Sequence, residues 1–166
     1  MSKTLESAID IDLPNQNYDV RLISLDDYDD NWKSDYLTQS RYEQYRERFK
    51  RDDAVDIGCF IDGKLAYSTW ILFNGIECNG KIMKKDSIAF LWDSYCYPLY
   101  RGRGLHNYMN AYSLNMMLEK GMEKGAVIVL SSNRPAIKTQ LKCGMSIERV
   151  FYTYKFMKKK YSSLNL

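Results

Sequence analysis

The chain has 166 residues, 45% hydrophobic and 27% charged, an ordinary composition for one self-supporting domain. Roughly two-thirds of the unfolded surface can be buried at that length, so no disulfide or metal is needed to hold a core. A net charge of +3 is too small for a dedicated DNA-binding protein, and a single histidine, His106, excludes a metal site built from several imidazoles. Residues 1–17 read as an N-terminal extension, flexible or supplying an edge strand through the alternation of Ile9, Ile11 and Leu13. A single domain is expected over 18–157 and a basic tail over 158–166. Residues 18–25 are rich in apolar β-formers and read as a first strand, followed by an acidic turn at 26–30. Residues 32–50 read as helical. Trp32 and Tyr36 share one helical face while Tyr42, Tyr45 and Phe49 share another, about half a turn out of step, so two short helices fit better than one. Arg41, Arg46, Arg48, Lys50 and Arg51 read as a solvated helix face, with a nucleic-acid stripe the lesser alternative.

Two β-rich runs, 54–61 and 64–73, flank Asp62-Gly63, a strong hairpin signal. A further strand is expected over 87–96. The period then changes: Leu105, Tyr108, Met109, Tyr112 and Met116 recur at helical spacing, and the methionines read as core. Gly125 is expected to end that helix, and 126–131 reads as a continuous buried strand. Residues 135–142 read as a short helix with Pro135 in its first turn and Gly144 as its C-cap. Residues 147–156 are expected to form a last strand. The order of elements gives an α+β (mixed α/β) fold with a central, mostly antiparallel mixed sheet flanked by helices. No Cys-x-x-Cys pair links Cys59, Cys78, Cys96 and Cys143, and no apolar leader is apparent, so free thiols and a cytoplasmic location are expected. No apolar run approaches the ~20 residues that cross a bilayer, so no membrane span is expected.

The segment richest in chemistry is Pro98-Leu-Tyr-Arg-Gly-Arg-Gly104, where a strand ends and a helix begins. A helix N-terminus presents free N–H groups and partial positive charge, glycines let an anion approach the backbone, and Arg101 and Arg103 add charge. That is an anion cradle, without the spacing of a P-loop or of the dinucleotide fingerprint. The uneven charge fits it: residues 1–30 carry eight acids and two bases, which leaves the rest of the chain at +9.

Here the sequence resembles the GNAT superfamily of N-acetyltransferases. Their core motif is Gln/Arg-x-x-Gly-x-Gly/Ala at a strand-to-helix junction; Arg101 and Gly104 match it, and His106 departs from its last position. A second motif follows in order: Asn133-Arg-Pro-Ala136, a short helix, then Cys143-Gly-Met145, with Met where the family has Phe. The resemblance is firm over about 87–148 and compatible over 18–86. It implies a GNAT-like sheet and an acyl-CoA cofactor, acetyl-CoA in the simplest case. Its binding residues would be Cys96, Tyr97, Arg101, Gly102, Arg103, Gly104, Leu105, His106, Asn133 and Ala136, with the pyrophosphate on the amides of 101–106. The strand ending at 95–97 would splay from its neighbour, and a main-chain N–H near Cys96 or Tyr97 would stabilise the thioester oxyanion.

The acceptor, a primary amine on a small molecule or a protein, must lose a proton to attack, and Asp93 is the candidate base. The family's usual general acid, a Tyr four residues after the Ala of the second motif, is replaced by Gln140. Tyr95 is a candidate substitute, or no acid is needed, since a thiol of pKa about 8.5 leaves tolerably. Trp32 and Tyr36 are candidate acceptor-binding residues. A donor with a longer acyl group, on CoA or an acyl-carrier protein, and a catalytically silent acyl-CoA-binding domain are the competing readings. No metal and no nucleic acid are expected, and a homodimer is left open.

Overall fold

The computed structural model describes residues 1–11, 18–29, 37–73, 75–78, 81–83, 85–156 and 159–162, with main chain only for 76–78, 81–83, 153–156 and 159–162. Its first strands and helices are β1 (Ser2–Thr4), β2 (Tyr18–Leu22), α1 (Asp26–Asp29), α2 (Gln39–Arg48), β3 (Ala54–Ile61) and β4 (Lys64–Leu72). Next come β5 (Ile76–Cys78), β6 (Lys81–Met83), β7 (Ile88–Cys96), α3 (Leu105–Glu119), β8 (Lys124–Val127), α4 (Arg134–Lys142), β9 (Thr153–Phe156) and β10 (Lys159–Ser162). Six strands form one sheet in the order β1-β8-β7-β4-β3-β2; β5–β6 and β9–β10 are separate hairpins. Every pair in the main sheet is antiparallel except β7 with β8. A parallel pair needs a crossover, and α3 supplies it.

The β3–β4 hairpin forms where Asp-Gly was expected to turn the chain. Asp62 (φ 52°) and Gly63 (φ 73°) both take left-handed backbone, the geometry that suits a two-residue hairpin turn, and Ile61 pairs with Lys64. Apolar side chains then segregate by face. Ile57, Tyr67, Ile71 and Leu91 meet Leu105, Met109, Leu114 and Met117 of α3 on one side. Tyr28, Leu37, Tyr45, Phe60 and Trp70 form the core on the other, where α2 lies. Trp70 stacks at a tilt against Tyr45 and Phe49, with centroids 5.5 and 4.9 Å away. The methionine-bearing face of α3 is thus core, and Tyr45 is fully buried as its helical spacing predicts.

Five sequence expectations need correction. The N-terminal edge strand is Ser2–Thr4; residues 9–11 form no strand, Ile9 bonding through its backbone to the Asn115 side chain, and Leu13 lies outside the described residues. Helix α3 stops at Glu119, because Gly121 (φ 77°) is its left-handed terminator and Met122 N–H returns to the Met117 carbonyl. Gly125 belongs to β8, where a side chain would collide with Leu114 of α3. The strand read over 126–131 ends at Val127. The strand read over 147–156 is confined to Thr153–Phe156, since β1 already occupies the outer edge of β8. The basic run at the C-terminus is correspondingly not all tail, as Lys159 and Lys160 lie in β10.

Candidate functional site

Strand β7 has two neighbours for half its length only. Its parallel pairing with β8 runs from Ile88↔Lys124 to Leu91↔Val127, and beyond that the strands part. Its other edge stays on β4 as far as Cys96. Where they part lies a cleft of about 300 Å³, walled by Trp92–Ser94, Val127–Leu130 and the α4 residues Ala136 and Gln140. The apolar run 126–131 therefore lines a cleft where a fully buried strand was expected: Leu130 is 76% exposed.

At the same place β7 is bulged. Ser68 pairs with Tyr95 and Trp70 with Trp92, so Asp93 and Ser94 together oppose Thr69. Asp93 carries the extra turn at φ 55°, a region Asp tolerates better than most residues. The bulge brings Trp92 and Asp93 to the α2 side together, where both meet Arg48. The Ser94 hydroxyl instead bonds Thr69, at 2.7 Å. Tyr97 N–H donates to the Ala66 carbonyl at 3.0 Å. The neighbouring Cys96↔Tyr67 pair is therefore the non-bonded kind, with the Cys96 N–H and carbonyl turned away from β4. Arg101 Nε confirms that orientation by donating to the Cys96 carbonyl at 3.0 Å. Of the two expected oxyanion donors, the Tyr97 amide is thus already engaged, and the Cys96 amide faces outward.

The loop after β7 turns at Gly102 and Gly104, both at φ 78°, and a Cβ on either would meet open space. Gly104 is the N-cap of α3 and no side chain caps that end, so the first-turn amides point outward unblocked. Arg103 lies over the Tyr100 ring at 5.6 Å, and Arg101 lies 5.6 Å from the Tyr95 ring. Leu105 is buried and anchors the helix start beneath them. Helix α4 begins on Asn133, whose side chain accepts from the Ala136 N–H at 3.3 Å.

Two polar atoms at the cleft are buried without a hydrogen-bond partner: Gln140 Oε1, in a side chain only 2% exposed, and His106 Nε2. Burial lowers the His106 pKa, so its imidazole is neutral at pH 7; its ring lies 5.7 Å from Tyr67. Burial also pushes the Cys96 thiol up, which leaves it protonated and a poor nucleophile. Orphaned polar atoms of this kind carry a desolvation cost that a bound molecule can relieve.

The α2 side of the bulge is charged. Asp93 accepts from Arg41 at 2.6 Å, from Arg48 at 2.7 Å and from the Tyr45 hydroxyl at 3.2 Å. Arg48 lies 3.6 Å above the Trp92 ring, and its side chain is 11% exposed against 34% for Arg41. A second carboxylate, Asp56 of β3, is buried beside them and accepts from the Tyr28 hydroxyl at 2.6 Å. Burial raises its pKa to about 7, against the opposing pull of that hydrogen bond and of Arg48. Arg41 and Arg48 are consequently not the solvated face their sequence suggested; they turn inward onto Asp93. Only the long-range pairing of α2 with β7 reveals this, and sequence separations of 52 and 45 hide it from a local reading. The cleft and the bulge therefore bring Asp93, His106, Asn133 and Ala136 together. Tyr95 stands apart from that lining, edge-on to Tyr97 at 5.1 Å. Burial raises the Tyr97 pKa to about 12. Trp32 and Tyr36 lie outside the described residues.

No protein-family model matches the chain, and no curated protein matches it. Solved structures do. The aminoglycoside 6'-N-acetyltransferase AAC(6')-Ih from Acinetobacter baumannii superposes with a TM-score of 0.64 at 15% identity, over 85% of this chain and 99% of that one. AAC(6')-Iy in complex with a CoA bisubstrate analogue gives 0.64 at 18% identity, again over 85% and 99%. A predicted acetyltransferase from Clostridium acetobutylicum, solved with acetyl-CoA, gives 0.57 at 13% identity over 81% and 94%. The chain therefore has the fold of N-acetyltransferases of the GNAT type, the α+β architecture that its two sequence motifs imply. Among the described residues, no helix is long and apolar enough to cross a membrane.

Proposed function

We propose that the chain is an acetyl-CoA-dependent N-acetyltransferase that moves an acetyl group to a primary amine by direct attack in a ternary complex. The observation that carries this reading is the parting of β7 from β8 after Leu91 and Val127, which opens a cleft beside the uncapped N-terminus of α3. The residues present fit such a cofactor. The amides of 102–106, with Gly102 and Gly104 leaving space above them and Arg103 alongside, would hold the pyrophosphate. The cleft, with the unpaired Gln140 Oε1 and His106 Nε2 and the Asn133–Ala136 helix start, would take the pantetheine arm. The bound cofactor supplies an activated acetyl thioester.

The chain's own residues supply position and proton handling. The outward Cys96 N–H is the donor proposed for charge developing on the thioester oxygen, a contribution typically worth a few kcal/mol of barrier. Asp93, at the cleft mouth, is proposed to receive the proton that the acceptor amine must lose, directly or through water. Gln140 cannot release a proton. Departure of the sulfur as thiolate, or protonation by Tyr95, completes the proposal.

The test is CoA release across a broad primary-amine panel, with acetyl-CoA binding measured in parallel. Binding with amine-dependent release is expected; binding with no release from any amine would make this an acyl-CoA-binding domain. Asp93→Asn should lower turnover and flatten the acidic limb of the pH–rate profile, and an unaltered profile would remove Asp93 from the proton path.

A further inference from the structure

Leu91, Val127, Ile128 and Leu130 give the cleft beside β7 an apolar wall. Two polar side chains interrupt it. His106 is the second residue of α3, and Gln140 follows Ala136 by one turn on α4. Among the described residues, several side-chain polar atoms are buried without a hydrogen-bond partner, and those that belong to the cleft lining are Gln140 Oε1 and His106 Nε2. Such an atom costs the free chain stability, because it has given up water and gained no partner. Two of them at one cleft mark a place where a ligand, and not the fold, supplies the missing bonds.

The bonding rules narrow what that ligand brings. Gln140 Oε1 only accepts, so its partner must carry an N–H or an O–H. His106 is neutral at pH 7, because burial lowers its pKa, and one of its ring nitrogens then has a proton to donate. Its ring is set against the buried Tyr67. The acetyl group and the phosphates of acetyl-CoA offer acceptors alone and leave Oε1 unpaired. The pantetheine arm has one hydroxyl and two amides; a hydroxyl can meet one of the two needs, whereas an amide pairs N–H with C=O and meets both. The last torsion of a glutamine is soft, so a small rotation brings Oε1 to the cleft surface.

We infer that Gln140 and His106 together read one amide of the pantetheine arm, Gln140 Oε1 accepting from its N–H and His106, as the Nε2–H tautomer, donating to its carbonyl. This rests on the acetyl-CoA reading above and names two specificity-determining residues for its donor. It also gives Gln140 a role that needs no proton of its own. The amide takes no part in acetyl transfer, so the pair contributes binding and orientation of the thioester.

The experiment is calorimetric titration of the full chain with three kinds of probe. They are CoA, 3'-phospho-ADP, which keeps the pyrophosphate and lacks the arm, and two CoA analogues that each carry an ester in place of one arm amide. Gln140→Leu and His106→Phe keep the size and lose the bonding atoms; each should weaken CoA about tenfold and leave 3'-phospho-ADP unchanged. One ester analogue should bind the native chain about tenfold more weakly than CoA, and that difference should vanish in Gln140→Leu. The analogue that shows it identifies the amide. Denaturation of the ligand-free variants gives a second readout: both should be at least as stable as the native chain, since each has lost an unpaired buried atom. Unchanged CoA affinity in both variants, or equal losses for CoA and 3'-phospho-ADP, would overturn the inference while leaving the acetyl-CoA site intact. No binding of CoA by the native chain would remove that site, and this inference with it.

Discussion

The two flanks of β7 solve different problems by different means. Toward α3 and α4 the site is made of main chain: open amides at a helix start, two left-handed glycines, and the gap left when parallel pairing stops at Leu91. Toward α2 it is made of side chains, a carboxylate held by two guanidiniums and a phenol on a bulge. Main-chain sites depend on few residue types and tolerate wide sequence drift, which is consistent with a shared fold at 13–18% identity to the N-acetyltransferases described above.

That contrast can be broken at several points. The largest effect is expected at the charged flank. Asp93→Ala removes the carboxylate from the buried Arg48, and breaking a buried ion pair by deleting one partner costs about 3 kcal/mol. Chemical denaturation should show that loss, and Asp93→Asn, which keeps the shape and two acceptor sites, should lose less. A loss below about 1 kcal/mol for Asp93→Ala would mean the cluster is solvated and the comparison overstated.

Asp56 gives the next effect, and its sign is distinctive. Its carboxyl is held near 7 in the folded chain, well above the 3.8 of an unperturbed Asp. The folded state thus keeps a proton that the unfolded state has lost. Its favourable contribution is complete below pH about 4 and disappears as pH rises through 7, at roughly 1.4 kcal/mol per pH unit within that window. Asp56→Asn should flatten the stability–pH curve between 4 and 7. An unchanged curve would place the proton elsewhere.

The smallest effects are expected at the proposed cofactor flank, where open main-chain amides would do most of the holding. Arg103→Ala should weaken acetyl-CoA only a few-fold, and by less as salt increases, since the side chain is exposed. Arg101→Ala should do more than charge alone explains, because Arg101 also ties the loop to the Cys96 carbonyl. Equal salt-dependent losses for both would reduce Arg101 to a charge.

Much of the α3–α4 flank of β7 is legible in the sequence because its signals are local. Gly102 and Gly104 follow closely on the end of β7 at Cys96, just before α3, and Asn133 and Ala136 share one helix start, so local spacing places them. The β3–β4 hairpin was legible for the same reason, since Asp62-Gly63 encodes its own turn. The α2 flank is not. Asp93 stands out as a strand carboxylate, but nothing near it in sequence shows a bulge, and Arg41 and Arg48 look like any polar helix face until α2 is laid across β7. The misread at 126–131 has a related cause: an apolar run reports contact with something apolar, and cannot distinguish a sheet neighbour from a cleft wall. Helix α3 was overextended to Gly125 because two glycines compete for its end, and packing against Leu114 decides between them.

If the parted strands and the Gly102–Gly104 loop form one acetyl-CoA site, calorimetric titration of the full chain detects it. Gly104 is the residue to vary, since φ 78° disfavours any β-branched side chain and a Cβ there would rise into the open space above the helix start. One acetyl-CoA is expected to bind per chain, weakened at least tenfold in a folded Gly104→Val variant. No measurable heat at millimolar acetyl-CoA, or equal affinity in the variant, would contradict it.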